Sequence, residues 1–243
     1  MATTIQNTID FASAYIQYPP LSAGAGNQPA LGIANEIQNM ILNAPFTWGF
    51  NRKEDSTLKT VAGTQDYTVN LTDFSFLEKV SLTDANGAVF EILDVKNTAA
   101  LGKADASINK QQRPNAVCVL MVAYGTSVTL RFMGVPNAIY TVTLTYQKLV
   151  TPLAALTGGT GTWAIPDQYL DIYNNLFVGE AMAIVDDARS AQYRQRGVAA
   201  LLAKAEGLTE MEKNLFLEQY WMRDRQMLAG TLRTQQAAQS RGV

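Results

Sequence analysis

The spacing of apolar residues changes partway along the chain. Ile5, Ile9, Ala12 and Ile16 recur every three or four positions, the spacing that lines one face of an α-helix. Thr3 or Thr4 offers an N-cap hydroxyl, and Pro19-Pro20 ends the predicted helix. After the small-residue loop LSAGAGNQ, Pro29 suits the first turn of a second helix with a stripe at Leu31 or Ile33, Ile37 and Ile41, closed by Pro45. The stretch FTWGFNR (46–52) then places Phe46, Trp48 and Phe50 at every second position, a strand period rather than a helical one. Three large aromatics at such a changeover are expected to weld helix to sheet, burying much area at a domain joint.

Residues 57–150 read as β. STLKTV, DYTVNL, FLEKVSLTDANGAVFEILDV, NAVCVLMVAYG, TSVTLRFM and AIYTVTLTYQKLV are rich in branched and aromatic residues. Asn86-Gly87 predicts a hairpin turn because both residues tolerate positive φ, and Gly125-Thr126-Ser127 and Val135-Pro136-Asn137 separate later strands. KADASINKQQRPN lacks strand pattern and reads as a short helix or exposed loop ended by Pro114. Some six short strands joined mostly by tight turns predict an antiparallel β-sandwich or barrel.

Helical spacing returns after the connector TPLAALTGGTGTWAI. Pro166 and Asp167 open a helix with a stripe at Leu170, Tyr173, Phe177 and Ile184, and Gly179, Ala181 and Ala183 permit close helix approach. The pattern continues through VAALLAKAE to Gly207, a C′ candidate, with a kink expected near Asp186-Asp187 or Gly197. Thr209 and Glu212 form a capping-box pattern before NLFLEQYWMRDRQMLAGTLRTQQ, and the tail AAQSRGV is expected to fray. The predicted class is therefore α+β: a helical bundle built from N- and C-terminal helices (1–50 and 163–243) with an inserted antiparallel β-domain (51–162).

Composition narrows the function. The chain of 243 residues is 47% hydrophobic, enough for a sizeable core, and only 16% charged, below the ~25% usual for globular proteins. A surface rich in Thr, Gln and Asn with few charges suits protein contact better than long-range steering. The net charge of -2 argues against broad nucleic-acid binding. With no histidine, the side chain best suited to proton transfer near neutral pH and to metal ligation is missing. No apolar run approaches the ~20 residues of a membrane span, and no secretory leader is visible, so a soluble protein without membrane partner is expected.

Candidate chemistry is sparse. Asp186-Asp187 is the most enzyme-like pair, yet adjacent helical residues point about 100° apart, and a solvated face or a pairing with Arg189 or Arg194 is the plainer reading. Gly158-Gly159-Thr160-Gly161 lacks the lysine and hydroxyl of a phosphate loop and reads as a hinge. Cys118, the single cysteine, sits in the apolar run AVCVLMV as a buried hydrophobe. No catalytic, cofactor or metal residues are assigned. Trp221, Arg223, Arg225, Arg233 and Arg241 give the last residues a basic, aromatic-flanked character and are the partner-docking candidates, with Phe216 and Tyr220 as core or interface aromatics.

The order of elements resembles that of adaptor proteins of tailed bacteriophages, which join portal to tail and include tail tubular protein A and head-completion types. The resemblance is carried by TIQNTIDFASAYIQ, by ALGIANEIQNMILNAPFTW with its aromatic end, and by VAGTQDYTV and AIYTVTLTYQ. It continues in WAIPDQYLDIYNNLFVGEAMAIVDD followed by ARSAQYRQRGVAALLAKA, so nearly the whole chain is covered. The extended last helix and tail after Gly207 depart from shorter members. The resemblance implies a non-enzymatic virion protein at the head-to-tail interface, assembled in the host cytoplasm as a homo-oligomeric, twelve-subunit ring. Its implied partners are the portal protein, a tail or stopper protein, and genomic DNA passing the lumen without sequence specificity. It also implies that residues 230–243 dock on the portal. The alternatives are another tail-completion, stopper or baseplate protein, or a carbohydrate-binding module using Trp48 or Trp163.

Overall fold

The computed structural model describes residues 3–16, 29–95, 110–156, 161–185, 187–205 and 207–220. Helix α1 (Ile5–Ser13) is capped by Thr4, whose hydroxyl accepts from the Asn7 N–H, and it buries Ile5, Ile9 and Ala12. It stops before the expected Pro19-Pro20, which lies outside the described residues. Helix α2 (Ala30–Leu42) follows Pro29 and buries Ile33, Ile37 and Ile41. Near the other end of the chain, a 3-10 turn (Asp167–Tyr169) leads into α3 (Leu170–Ile184). α4 (Ser190–Lys204) and, over the described residues 210–220, a further helix, α5, follow.

The chain breaks between α3 and α4 near Asp187, while Gly197 lies within an uninterrupted α4. Its role is packing. A Cβ at Gly197 would lie 2.6 Å from the Leu176 Cγ, and one at Gly179 would lie 2.8 Å from the Arg194 backbone nitrogen. These two glycines let α3 and α4 approach as a tight pair. Thr209 and Glu212 cap α5 reciprocally, each accepting the other's backbone N–H at 2.9 and 3.3 Å.

Among the described residues seven strands lie between the two helical parts: β1 (Arg52–Asp55), β2 (Asp66–Val69), β3 (Phe74–Thr83), β4 (Val89–Asp94), β5 (Ala116–Ala123), β6 (Ser127–Met133) and β7 (Thr141–Lys148). They form one sheet in the order β1-β7-β3-β4-β5-β6-β2. All pairings are antiparallel except β4–β5, which is parallel over Leu93↔Ala116 and Asp94↔Val117. That exception corrects the all-antiparallel expectation. The link between β1 and β2 hydrogen-bonds first to β7, through Val142 N–H to Leu58 O at 2.9 Å, and then to β6, through Phe132 N–H to Gln65 O at 3.1 Å. The two ends of the strand order are thus drawn together and the sheet curls.

Two further expectations need correction. β1 falls on RKED, which is wholly charged and carries no strand pattern; it forms because β7 offers it a partner, and an exposed edge tolerates charge. The β3–β4 hairpin turns one residue earlier than predicted. Gly87 N–H donates to Asp84 O at 3.1 Å, so Ala85 and Asn86 occupy the turn centre and Gly87, at φ +83°, takes the left-handed position that follows.

Buried apolar side chains fall into two clusters. One joins α1, α2, α3 and α4 with Phe46, Trp48, Leu153, Leu156, Trp163 and Ile165. The other fills the concave side of the sheet with residues including Leu82, Leu130, Phe132, Leu144 and Tyr146. Helices from opposite ends of the chain therefore share one core, and the sheet carries its own.

Candidate functional site

The most built feature of the molecule lies where the chain leaves the helical core for the sheet and returns. On the outward crossing Phe46 and Trp48 are buried and Phe50 is half-buried. Their rings pack in series, with centroids 6.3 Å apart for Phe46–Trp48 and 5.8 Å for Trp48–Phe50. Tyr169, just before α3, meets Trp48 edge-on at 5.1 Å, and Phe216 of α5 meets Phe46 edge-on at 4.9 Å. Such tilted contacts suit the ring quadrupoles. The Trp48 indole N–H donates to Ile41 O at 2.7 Å, tying the aromatic run to the end of α2.

Four side-chain amides hold the two crossings together. Gln147, the penultimate residue of β7, is fully buried; its Oε1 accepts from Trp48 N–H at 3.2 Å and its Nε2 donates to Trp48 O at 3.3 Å and to Glu78 Oε2 at 2.9 Å. Asn51 donates to Lys148 O at 3.1 Å. On the return crossing, Asn35 of α2 pairs with both backbone groups of Leu153, donating at 3.1 Å and accepting at 2.7 Å. Buried Gln38 donates to Thr151 O and accepts from Ala164 N–H, both at 3.0 Å. Each amide does what a neighbouring strand would do for a backbone that has none.

Charged groups extend this seam into the sheet. Glu78 of β3 receives Arg52 of β1 as well as Gln147. Burial pushes its pKa up, but the Arg52 and Gln147 bonds outweigh that and hold it below the ordinary value. Asp73 behaves likewise: burial raises it, and bonds from Lys53 and Tyr146 bring it below the ordinary value. Burial and the bond to Asp73 push the Tyr146 hydroxyl far up, so it stays protonated as a donor.

These amides were not singled out from sequence. The strand period puts Gln147 on the face opposite Tyr146, with Thr143 and Thr145, where a polar residue reads as solvent-facing. It is buried, with its carboxamide paired to the Trp48 backbone. Gln38 had a faint signal: it lies beside Ile37 and Ile41 on the stripe-bearing side of α2.

The other candidates are placed as follows. Trp221, Arg223, Arg225, Arg233 and Arg241 lie outside the described residues, as do Asp186 and Gly158-Gly159-Thr160. Asp187 accepts from the Arg189 guanidinium at 2.7 Å, which lowers its pKa. Gly161 is closely packed, since a Cβ there would lie 2.7 Å from Ala155 O. Trp163 is buried, stacked on Tyr173 at 4.7 Å and donating to Thr8 at 3.0 Å. With Trp48 it is part of the helical core, so neither offers an exposed platform for a sugar. Cys118 is buried, and desolvation raises its thiol pKa. Among the described residues no group of three His, Cys, Asp or Glu side chains is arranged to hold a metal, and no helix is long and apolar enough to cross a membrane.

Apolar side chains do reach the surface elsewhere. Val61, Val89 and Ile139 are exposed at the end of the sheet remote from the helices, and Met211 and Leu215 are exposed on α5. No curated protein matches the chain. A protein family described as SU10 adaptor protein matches residues 4–233.

Proposed function

Because the chain thus belongs to the SU10 adaptor protein family, a family of structural phage adaptors, we propose that it forms a ring beneath the portal and links it to tail components. The single observation that carries this reading is the extent of the match, which takes in both helical parts and the sheet between them. Within adaptors we read it as of the tail tubular protein A and head-completion type, with the sheet unit as a domain inserted between the helical segments. Twelve copies would surround a lumen through which genomic DNA passes without base-specific contact, in line with the small net charge.

Supporting features are physical. A ring needs heterologous side-to-side contacts, which bury two different patches of each subunit. Exposed apolar residues at the sheet's far end and on α5 give such patches material. The isolated chain is expected to be monomeric or weakly associated, with ring formation driven by a preformed portal.

Residues 230–243, which include Arg233 and Arg241, are the proposed portal-docking segment, with Trp221, Arg223 and Arg225 preceding them in the sequence. The cost of fixing such a segment on a partner is offset when many copies bind one ring. Electron microscopy of mixtures with candidate portals, comparing the full chain with one ended before Gly230, tests both parts. Rings on the portal with the full chain and none with the shortened chain are expected. Equal binding by both removes the tail-docking proposal, and no ring with either removes the adaptor ring itself.

A further inference from the structure

The two buried clusters are separate, yet they meet at a hydrogen-bonded seam centred on one residue. Gln147 belongs to β7 by its backbone and to the helical core by its side chain. Its carboxamide engages both backbone groups of Trp48, an anchor of the helical cluster. The second amide hydrogen goes to Glu78 on β3, which is itself held by Arg52 on β1. A single fully buried side chain thus connects Trp48 with three adjacent strands, and every polar atom it has is used.

We infer that Gln147 is a lock that makes the helical and sheet cores behave as one cooperative body. Without it the amide clamps described at the two chain crossings are those of Asn51, Asn35 and Gln38, and each core then opens on its own. Two cores in one chain ordinarily open as separate units unless their interface is strong. Here the two apolar clusters are separate, so polar pairing through a buried side chain carries the coupling. The inference is independent of the adaptor assignment.

The test is calorimetry on the full chain, read with hydrogen exchange. Wild type is expected to give one endotherm whose calorimetric and van't Hoff enthalpies agree. Gln147→Met keeps the volume and removes the bonds; it is expected to split the endotherm in two, with peptides of β3, β6 and β7 losing protection before those of α3 and α4. Thr60→Val is the comparison, since the buried Thr60 hydroxyl bonds Ala138 O and Tyr140 N–H wholly within the sheet part. It should lower one undivided transition. Should Gln147→Met fail to fold, Asn51→Ala weakens the same seam and is expected to broaden or split the transition. Two endotherms in wild type, or a single shifted one in the seam variant, overturns the inference.

Discussion

Gly179→Ala sets two physical effects against each other. Helix propensity alone makes alanine better in mid-helix by about 1 kcal/mol. At this position, however, the new methyl carbon would lie 2.7 Å from the Arg194 Cγ, 2.8 Å from the Arg194 nitrogen and 3.2 Å from the Ser190 oxygen. Two of these three atoms are backbone and cannot rotate away, so α4 must move from α3 and disturb the part-buried Arg194–Glu180 ion pair at 2.6 Å. Overpacking of this sort costs roughly 1–3 kcal/mol, and the backbone contacts place the cost toward the upper end. The net loss is about 1–2 kcal/mol, or a fall of roughly 2–8 °C in melting temperature for a chain of this size. Gly49→Ala, where the added methyl meets nothing within 4 Å, should stay within about 0.5 kcal/mol. Urea denaturation followed by circular dichroism checks both. A Gly179→Ala protein as stable as wild type, or more so, would refute the close packing of α3 on α4.

Other perturbations follow from the same contacts. Trp48→Ala removes a buried anchor and its bond to Ile41 O, and should cost about 3–5 kcal/mol in denaturant titration. Acid should loosen the β1 edge. The folded Glu78 and Asp73 pKa values lie below the ordinary 4.5 and 3.8, so their stabilisation is complete above those values and is lost as pH falls through the folded ones. Melting temperature should therefore hold steady down to about pH 5 and drop below it, with a shallower drop for Glu78→Gln; the same slope in both would exclude Glu78 as a contributor. Cys118 should react with a thiol reagent only as the chain unfolds, which a reaction time course in rising urea would show. Phe216→Ala should speed hydrogen exchange of α5 while leaving α3 and α4 protected, because the edge-on contact with Phe46 is a principal tie of that helix.

Much of the helical part is readable from spacing alone. Ile5, Ile9, Ala12 and Ile16 turn out buried, and their period has no competing explanation. Strands with branched residues on alternate positions, such as β6 and β7, were equally plain. β1 was not, because a charged edge strand has no apolar face to announce it and exists only through its partner. The parallel β4–β5 pairing was hidden for a related reason: local pattern specifies a strand, not its neighbour. The aromatic run 46–50 was visible as a feature, whereas the amides that brace it resemble the many exposed amides of this chain. A buried Gln differs from an exposed one only by what lies over it. The docking candidates beyond residue 220 rest on composition and on the family resemblance.

Native mass spectrometry of the full chain, alone and mixed with the portal of the phage that encodes it, weighs the adaptor account most directly. The account predicts single subunits alone and, with the portal, a complex carrying one closed adaptor ring of twelve copies. A portal that emerges with no bound chain at saturating concentration would contradict it.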